Sequence, residues 1–181
     1  GGIWVSSEFT GLTHLTVINQ GITRILPEPE SFSDRANMIR MLQRRADGKI
    51  CIGTRRGGCY LYAPDLSHRV AERQFPVNIY AMAEGADGSE WWGSRGNGLC
   101  IDGRWYTEGT DEHSLGSNQV FELYRDRKDR MWIATFGGGL NLAVPSAEGY
   151  VFRKFLRHSN NQQQVRSILE DTDGWMWVGT S

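Results

Sequence analysis

Hydrophobic and polar positions along this chain fall into short blocks, and one block returns five times: hydrophobic, Trp, hydrophobic, small, Ser or Thr. The copies are Ile3-Trp4-Val5-Ser6-Ser7, Ile50-Cys51-Ile52-Gly53-Thr54, Glu90-Trp91-Trp92-Gly93-Ser94, Met131-Trp132-Ile133-Ala134-Thr135 and Met176-Trp177-Val178-Gly179-Thr180. Their third residues, Val5, Ile52, Trp92, Ile133 and Val178, are spaced by 47, 40, 41 and 45 residues. A period of this size marks a repeat protein built from one supersecondary unit.

Each unit has further parts. An Asp-containing turn precedes four of the blocks: Ala46-Asp47-Gly48, Ala86-Asp87-Gly88, Lys128-Asp129-Arg130 and Thr172-Asp173-Gly174. Asp-Gly between apolar runs is a strong hairpin signal. Upstream of these turns lie Met38–Leu42, Val77–Met82, Val120–Tyr124 and Val165–Leu169, whose length, β-branched content and turn boundaries predict strands. Glycine clusters follow the blocks at Gly57-Gly58, Gly96-Asn97-Gly98 and Gly137-Gly138-Gly139, and each predicts a second tight turn. Ile22–Ile25, Val70–Phe75, Trp105–Thr107 and Tyr150–Phe155 supply a further strand per unit. Four antiparallel strands repeated in this way predict an all-β fold, a β-propeller segment of about four blades. The blade parts are 3–26, 37–75, 78–109, 119–156 and 164–180, and the first lacks its inner strand.

Leu115-Gly116-Ser117-Asn118-Gln119-Val120, Phe136-Gly137-Gly138-Gly139-Leu140-Asn141 and the segment Val165–Thr180 carry a resemblance to the two-component-regulator propeller repeat family. It is most specific in the last two repeats and weakest in the second, where Cys51 replaces the tryptophan and Arg45 stands where Asp171 stands in the last copy. The resemblance implies a sensor region outside the cytoplasmic membrane, in the periplasm, ahead of a transmembrane helix and a histidine kinase. It implies a parent propeller of about seven blades and, in many members, a glycan signal. The chain begins and stops in second strands, as a segment cut from a longer array would. Open blade edges of that kind predict an open arc or self-association by strand pairing, ahead of a closed four-bladed ring.

With 20 Lys and Arg against 21 Asp and Glu, no single-sign field exists, and the pairs Arg44-Arg45 and Arg55-Arg56 are too short to form a nucleic-acid footprint. No apolar run approaches the roughly 20 residues of a bilayer span, so no membrane contact by this segment is expected, and no signal peptide opens the chain. His68, His113 and His158 are evenly spaced but fall at different places in their repeats, so no metal site is expected, and no motif asks for a cofactor. Asp47, Asp87, Asp129 and Asp173 read as turn residues; Glu84 and Glu170-Asp171 either face a shared channel or cap turns. Cys51 and Cys59 lie on successive strands and read either as small buried hydrophobes or as a disulfide, with Cys100 left over. Trp4, Trp91, Trp132 and Trp177 share one phase and are expected to pack between neighbouring blades, whereas Trp92, Trp105 and Trp175 depart from it.

Recognition is expected where the repeats differ, on loops held by a regular scaffold. Those loops carry Glu8-Phe9-Thr10, Arg55-Arg56, Arg95-Gly96-Asn97 and Phe136-Gly137. Arg55, Arg56, Arg95, Asn97 and Phe136, with Trp105 as an aromatic platform, form the candidate ligand-binding set, suited to an anionic oligosaccharide; solvated surface arginines account for the same residues. The leading function is a non-enzymatic sensory propeller. A dimerisation or interaction scaffold is the alternative, and a carbohydrate-active enzyme ranks behind both, since no catalytic carboxylate pair breaks the repeat. No kinase or phospho-acceptor motif lies in these 181 residues.

Overall fold

The computed structural model describes residues 2–7, 11–16, 22–31, 35–158 and 161–181, with side chains from Arg24 onward. Trp4 as a side chain and the loop at residues 8–10 fall outside the described residues. The chain divides into two compact units, Gly1–Ile79 and Tyr80–Ser181. The first unit holds a three-stranded sheet of β1 (Gly2–Ser7), β2 (Gly11–Thr16) and β3 (Ile22–Ile25). It also holds a four-stranded sheet of β4 (Ile39–Arg44), β5 (Ile50–Thr54), β6 (Gly58–Tyr62) and β7 (Arg69–Gln74). The second unit contains β8 (Ile79–Glu84), which starts at the boundary, with β9 (Glu90–Ser94), β10 (Leu99–Ile101) and β11 (Arg104–Tyr106). Beside it stand a sheet of β12 (Val120–Arg125), β13 (Met131–Thr135), β14 (Gly139–Ser146) and β15 (Gly149–Phe155), and the hairpin β16 (Val165–Glu170) and β17 (Met176–Thr180). Strands are neighbours in chain order because tight turns leave no length for crossovers.

The turn between the first two strands has one geometry in four copies. The N–H of its first residue donates to the carbonyl of its fifth, from Arg45 to Lys49, Gly85 to Ser89, Asp126 to Arg130 and Asp171 to Trp175, at 2.9–3.0 Å. The fourth residue is left-handed: Gly48, Gly88 and Gly174 at φ 83–84° and Asp129 at 58°. Asp129 therefore does not repeat Asp47, Asp87 and Asp173, as the sequence reading had it. It occupies the glycine place, which aspartate tolerates, and Lys128 stands where the other copies have Asp.

A carboxylate at the first turn position ties the turn to the Trp of the block. Asp126, only 3% exposed, accepts from the Lys128 and Arg130 N–H groups at 2.9 Å, from Arg130 Nε at 2.6 Å and from Trp132 Nε1 at 2.8 Å. Asp171 repeats this, accepting from the Asp173 and Trp175 N–H groups and from Trp177 Nε1 at 2.6 Å. In the β8–β9 turn the first residue is Gly85, and Trp91 Nε1 instead donates to Ser89 Oγ at 2.8 Å, which donates to Asp87 Oδ1 at 2.6 Å. A Cβ on Gly85 would lie 2.3 Å from that hydroxyl, so the small residue makes room for the substitute. In the β4–β5 turn Arg45 and Cys51 replace carboxylate and indole together, so no indole N–H is left to satisfy.

The indoles so fixed build the core of the second unit. Trp91, 2% exposed, packs with Leu99, Leu115, Val120, Leu123, Met131, Ile133 and Phe152 across the facing sheets. Its ring meets Tyr150 edge-on at 4.7 Å. Trp132, 9% exposed, packs with Val165 and Ile168 of the next hairpin. Trp177 is 62% exposed, so the shared inter-sheet role holds for Trp91 and Trp132 and not for the copy on β17. Trp92 is buried as well, while Trp175 is exposed. Cys51, Cys59 and Cys100 are buried; the register sets Leu61 opposite Cys51 and Gly53 opposite Cys59, so no disulfide joins those two.

Burial opposes ionisation of Asp126, but its hydrogen-bond donors outweigh burial and hold the carboxyl below the usual carboxylate range. A folded value below the unfolded one, about 3.9 for aspartate, gives stability that is present in full above the unfolded value and lost as pH falls through the folded one. Asp126→Ala, which orphans the buried Trp132 N–H, is expected to cost about 3 kcal/mol in urea unfolding at pH 7. Asp126→Asn is expected to flatten the acid limb of the thermal midpoint between pH 5 and 2, as differential scanning fluorimetry would show.

Candidate ligand-binding site

At the end of the sheets opposite the Asp turns, Thr54, Ser94 and Thr135 are fully buried and close the second turn. Their hydroxyls donate to the carbonyls of Gly58, Gly98 and Gly139 at 3.2, 2.9 and 2.8 Å. The residue after each hydroxyl, Arg55, Arg95 or Phe136, is thereby delivered to the same end of its sheet. The N–H of Phe136 donates to the Gln119 carbonyl at 2.9 Å, and Arg95 forms a bridge with Gln119.

The first strands of the sheets present a second row at this end. Arg40, Tyr80, Phe121 and Arg166 each follow a buried β-branched residue, Ile39, Ile79, Val120 or Val165. The ladder skips one residue between Ile39 and Met41, between Val120 and Glu122, and between Val165 and Ser167. Arg40, Phe121 and Arg166 are therefore the extra residues of β-bulges, a device that re-aims a side chain beside a site.

Within the second unit the two rows meet in one stack. The Arg95 guanidinium lies 5.8 Å from the Tyr80 ring centre, and its Nη1 donates to the Tyr80 hydroxyl at 3.2 Å. The Tyr80 ring is 5.4 Å from Phe121, and Phe121 is 5.7 Å from Phe136. The Arg166 guanidinium sits 5.0 Å from Phe121 and 4.9 Å from Phe136. Tyr80, Phe121 and Phe136 are each partly exposed, and Arg95 and Arg166 beside them are exposed. Such a run of faces can stack on the apolar face of a sugar ring, and the guanidinium groups can donate to its oxygens.

Of the sequence-derived set, Arg95 and Phe136 are thus joined through Tyr80 and Phe121. Asn97 is exposed, and its N–H donates to Ser94 Oγ, a turn contact. Trp105 is half-buried on β11, opposite Cys100 and away from the stack. In the first unit, Arg55 is half-buried with Nη1 3.9 Å from Met38 Sδ. Arg56 points elsewhere, into a cleft of about 460 Å³ lined also by Glu28, Tyr60, Glu72 and Arg73. Tyr80, Phe121 and Arg166 escaped sequence reasoning. The signal was the position after the β-branched residue of each first strand, which varies among Arg, Tyr and Phe while the residue before it is always Ile or Val.

Of the carboxylates expected at a channel or turn, Glu170 and Asp171 are engaged by backbone, as is Glu122 beside Phe121. Glu170 accepts the Arg127 N–H at 2.8 Å. Glu122 accepts the Ile168 N–H at 2.5 Å; burial pushes its carboxyl up, and that hydrogen bond acts in the opposite sense. Among the described residues no group of three metal-ligating side chains converges.

The loop motif around Gly116 supports the stack from below. The Gly116 N–H donates to Oδ1 of the fully buried Asn141 at 2.8 Å, whose Nδ2 donates to Thr135 Oγ1 at 3.2 Å. Gly138, two residues after Phe136, lies against Gly116: a Cβ there would fall 2.1 Å from the Gly116 carbonyl carbon and 2.3 Å from its oxygen.

Residues 114–137 and 159–181 match the two-component regulator propeller family. Those segments contain the Gly116 motif, Phe136, Arg166 and the Asp171–Trp177 turn, and the chain carries repeats of that type. No curated protein sequence matches the chain. Among solved structures it is similar to an extracellular domain from B. thetaiotaomicron described as that of a one-component system, with TM-score 0.75 and 16% identity over 99% of this chain and 27% of that one. It is similar to the extracellular domain of a hybrid two-component system from B. thetaiotaomicron, with TM-score 0.66 and 22% identity over 99% of this chain and 25% of that one. It is also similar to virginiamycin B lyase from Staphylococcus aureus, with TM-score 0.70 and 14% identity over 98% of this chain and 59% of that one. These likenesses show the fold, an all-β propeller segment, and the chain spans only 27% and 25% of the two extracellular domains. A lyase shares the fold, so function has to be argued from the site.

Gly138→Ala is expected to unseat the loop that carries Phe136, because the clash is with the Gly116–Ser117 backbone rather than with a side chain that could turn aside. The expected result is a lower thermal midpoint together with loss of the Phe121–Phe136 ring contact in side-chain NMR.

Proposed function

We propose that this chain is the sensory, non-enzymatic part of a two-component sensor histidine kinase, placed outside the cytoplasmic membrane in the periplasm, and that it perceives a glycan for a kinase lying beyond these residues. The observation that carries this reading is the stack of Tyr80, Phe121 and Phe136 on two first strands, one of them bulged at Phe121, and a closing loop. The scaffold repeats elsewhere and varies here, as a recognition surface requires. The family match and the extracellular domains among the similar structures support a sensor placed outside the cell membrane. No helix among the described residues is long and apolar enough to cross a membrane.

One observation favours a second reading, an interaction or dimerisation scaffold. Leu169, Trp175 and Trp177 are exposed together on the β16–β17 hairpin. A ligand-free dimer that dissociates on Trp177→Ser, with no glycan bound at any concentration, would favour the scaffold over the sensor.

Isothermal titration of the chain with oligosaccharides of neutral and acidic composition tests the sensory reading. The expected result is saturable binding that Phe121→Ala weakens by about tenfold, or ~1.4 kcal/mol. Unchanged affinity in that variant would remove the stack from the site.

A further inference from the structure

We infer that the stack takes a sugar ring bearing a negative charge, a carboxylate or sulfate, with the ring on Phe121 and Phe136 and the charge read by Arg166 and Arg95. This rests on the sensory reading above and narrows its ligand. It assigns ligand contact to Tyr80, Phe121 and Arg166 on the first strands, in addition to the loop residues.

Charge accounting carries the argument. Elsewhere in the second unit Arg130 meets Asp126 at 2.6 Å and Arg125 meets Asp129 at 3.8 Å, while Arg104 and Arg127 donate to the carbonyls of Glu148 and Thr172. The two in the stack meet neutral partners only. Arg166 Nε donates to Ser181 Oγ at 2.7 Å, and Arg95 Nη1 donates to the Tyr80 hydroxyl. Among the described residues no carboxylate pairs with either guanidinium. Glu122, next to Phe121, is turned away to the Ile168 N–H. A guanidinium carries five N–H donors, so each retains unused ones.

Ring contact at about 5 Å also holds the Arg166 guanidinium in place. Its side chain is ordered before a ligand arrives, which lowers the entropy lost on binding. A fixed planar fork beside partly exposed rings fits a carboxylate or sulfate attached to a ring, because the anion takes two parallel N–H donors while the sugar ring lies along the exposed aromatic edges. A neutral sugar fills the same space but brings no counter-charge to the two guanidinium groups.

The test follows the Nε–H resonances of Arg166 and Arg95 in the labelled chain during titration with glucuronate, glucose and sodium sulfate. Glucuronate is expected to move both resonances with an affinity at least tenfold higher than glucose, and higher than sulfate. Arg166→Gln is expected to abolish the preference for glucuronate over glucose, and Arg127→Gln, at the opposite end of the sheets, to leave it intact. Equal response to glucose and glucuronate overturns the charge assignment and leaves the sensory reading standing. Equal response to sulfate and glucuronate reduces the site to a bare anion site and overturns it as well. Silence at both arginines while an acidic oligosaccharide binds elsewhere on the chain overturns the location. Response to glucuronate here, with no oligosaccharide bound in calorimetry, supports the charged-ring site and counts against the sensory reading alone.

Discussion

The hydrogen bond from an indole N–H to a turn carboxylate is the constraint on which this structure depends. In the repeats of Trp132 and Trp177 it joins the turn between first and second strands to the large ring of the block. With Trp132 held by Asp126, ring depth is set by the turn, and the facing sheet can pack against a surface of known height. The exceptions obey the same requirement. Where Gly85 removes the carboxylate, Ser89 and Asp87 rebuild an acceptor in its space; where Cys51 removes the indole, Arg45 has replaced the carboxylate too. What the repeats keep is satisfaction of a buried donor, and the residues that achieve it are free to change.

Fixing one end of each sheet leaves the other to vary. At the far end the closing hydroxyls of Ser94 and Thr135 make the turn by side chain to backbone, so the next residue contributes little to the fold and is Arg in one copy and Phe in another. Bulges at Phe121 and Arg166 act likewise on the first strands, taking one residue out of the ladder without disturbing Val120 and Val165 beneath. Scaffold and variable surface are separated by a strand of six residues, roughly 20 Å. Substitution at one end therefore need not be compensated at the other.

Much of the fold was legible in the sequence because the governing signals are local. The Asp-Gly turns, the alternation of Val120–Tyr124 and the period of the Trp block each follow from contacts within a few residues. Residue by residue the reading went astray where a position had to be aligned across repeats: Asp129 looked like a fourth copy of Asp47 and is a substitute for glycine. The stack was half legible. Arg95 and Phe136 were visible as loop variation, whereas Tyr80, Phe121 and Arg166 sit inside strands, where hydrophobic alternation hides a bulge. Arg55 and Arg56 show the converse, since adjacent residues on a loop alternate in direction and only one reaches the Glu28–Arg73 cleft.

The covering of the Trp91 and Trp132 rings has a consequence for how stability is distributed. Each packs against the strands that follow, so the sheets of the second unit are held chiefly by their nearest neighbours. Free energy in such a stack behaves as a sum of unit and interface terms, as in a one-dimensional lattice. The β12–β15 sheet packs on both sides, through the Trp91 cluster on one and the Trp132 cluster on the other. Arg166 belongs to the β16–β17 hairpin, and its guanidinium lies on Phe121 and Phe136 of that sheet, so whatever engages it also adds to the interface between hairpin and sheet, and ligand occupancy and packing become a single equilibrium.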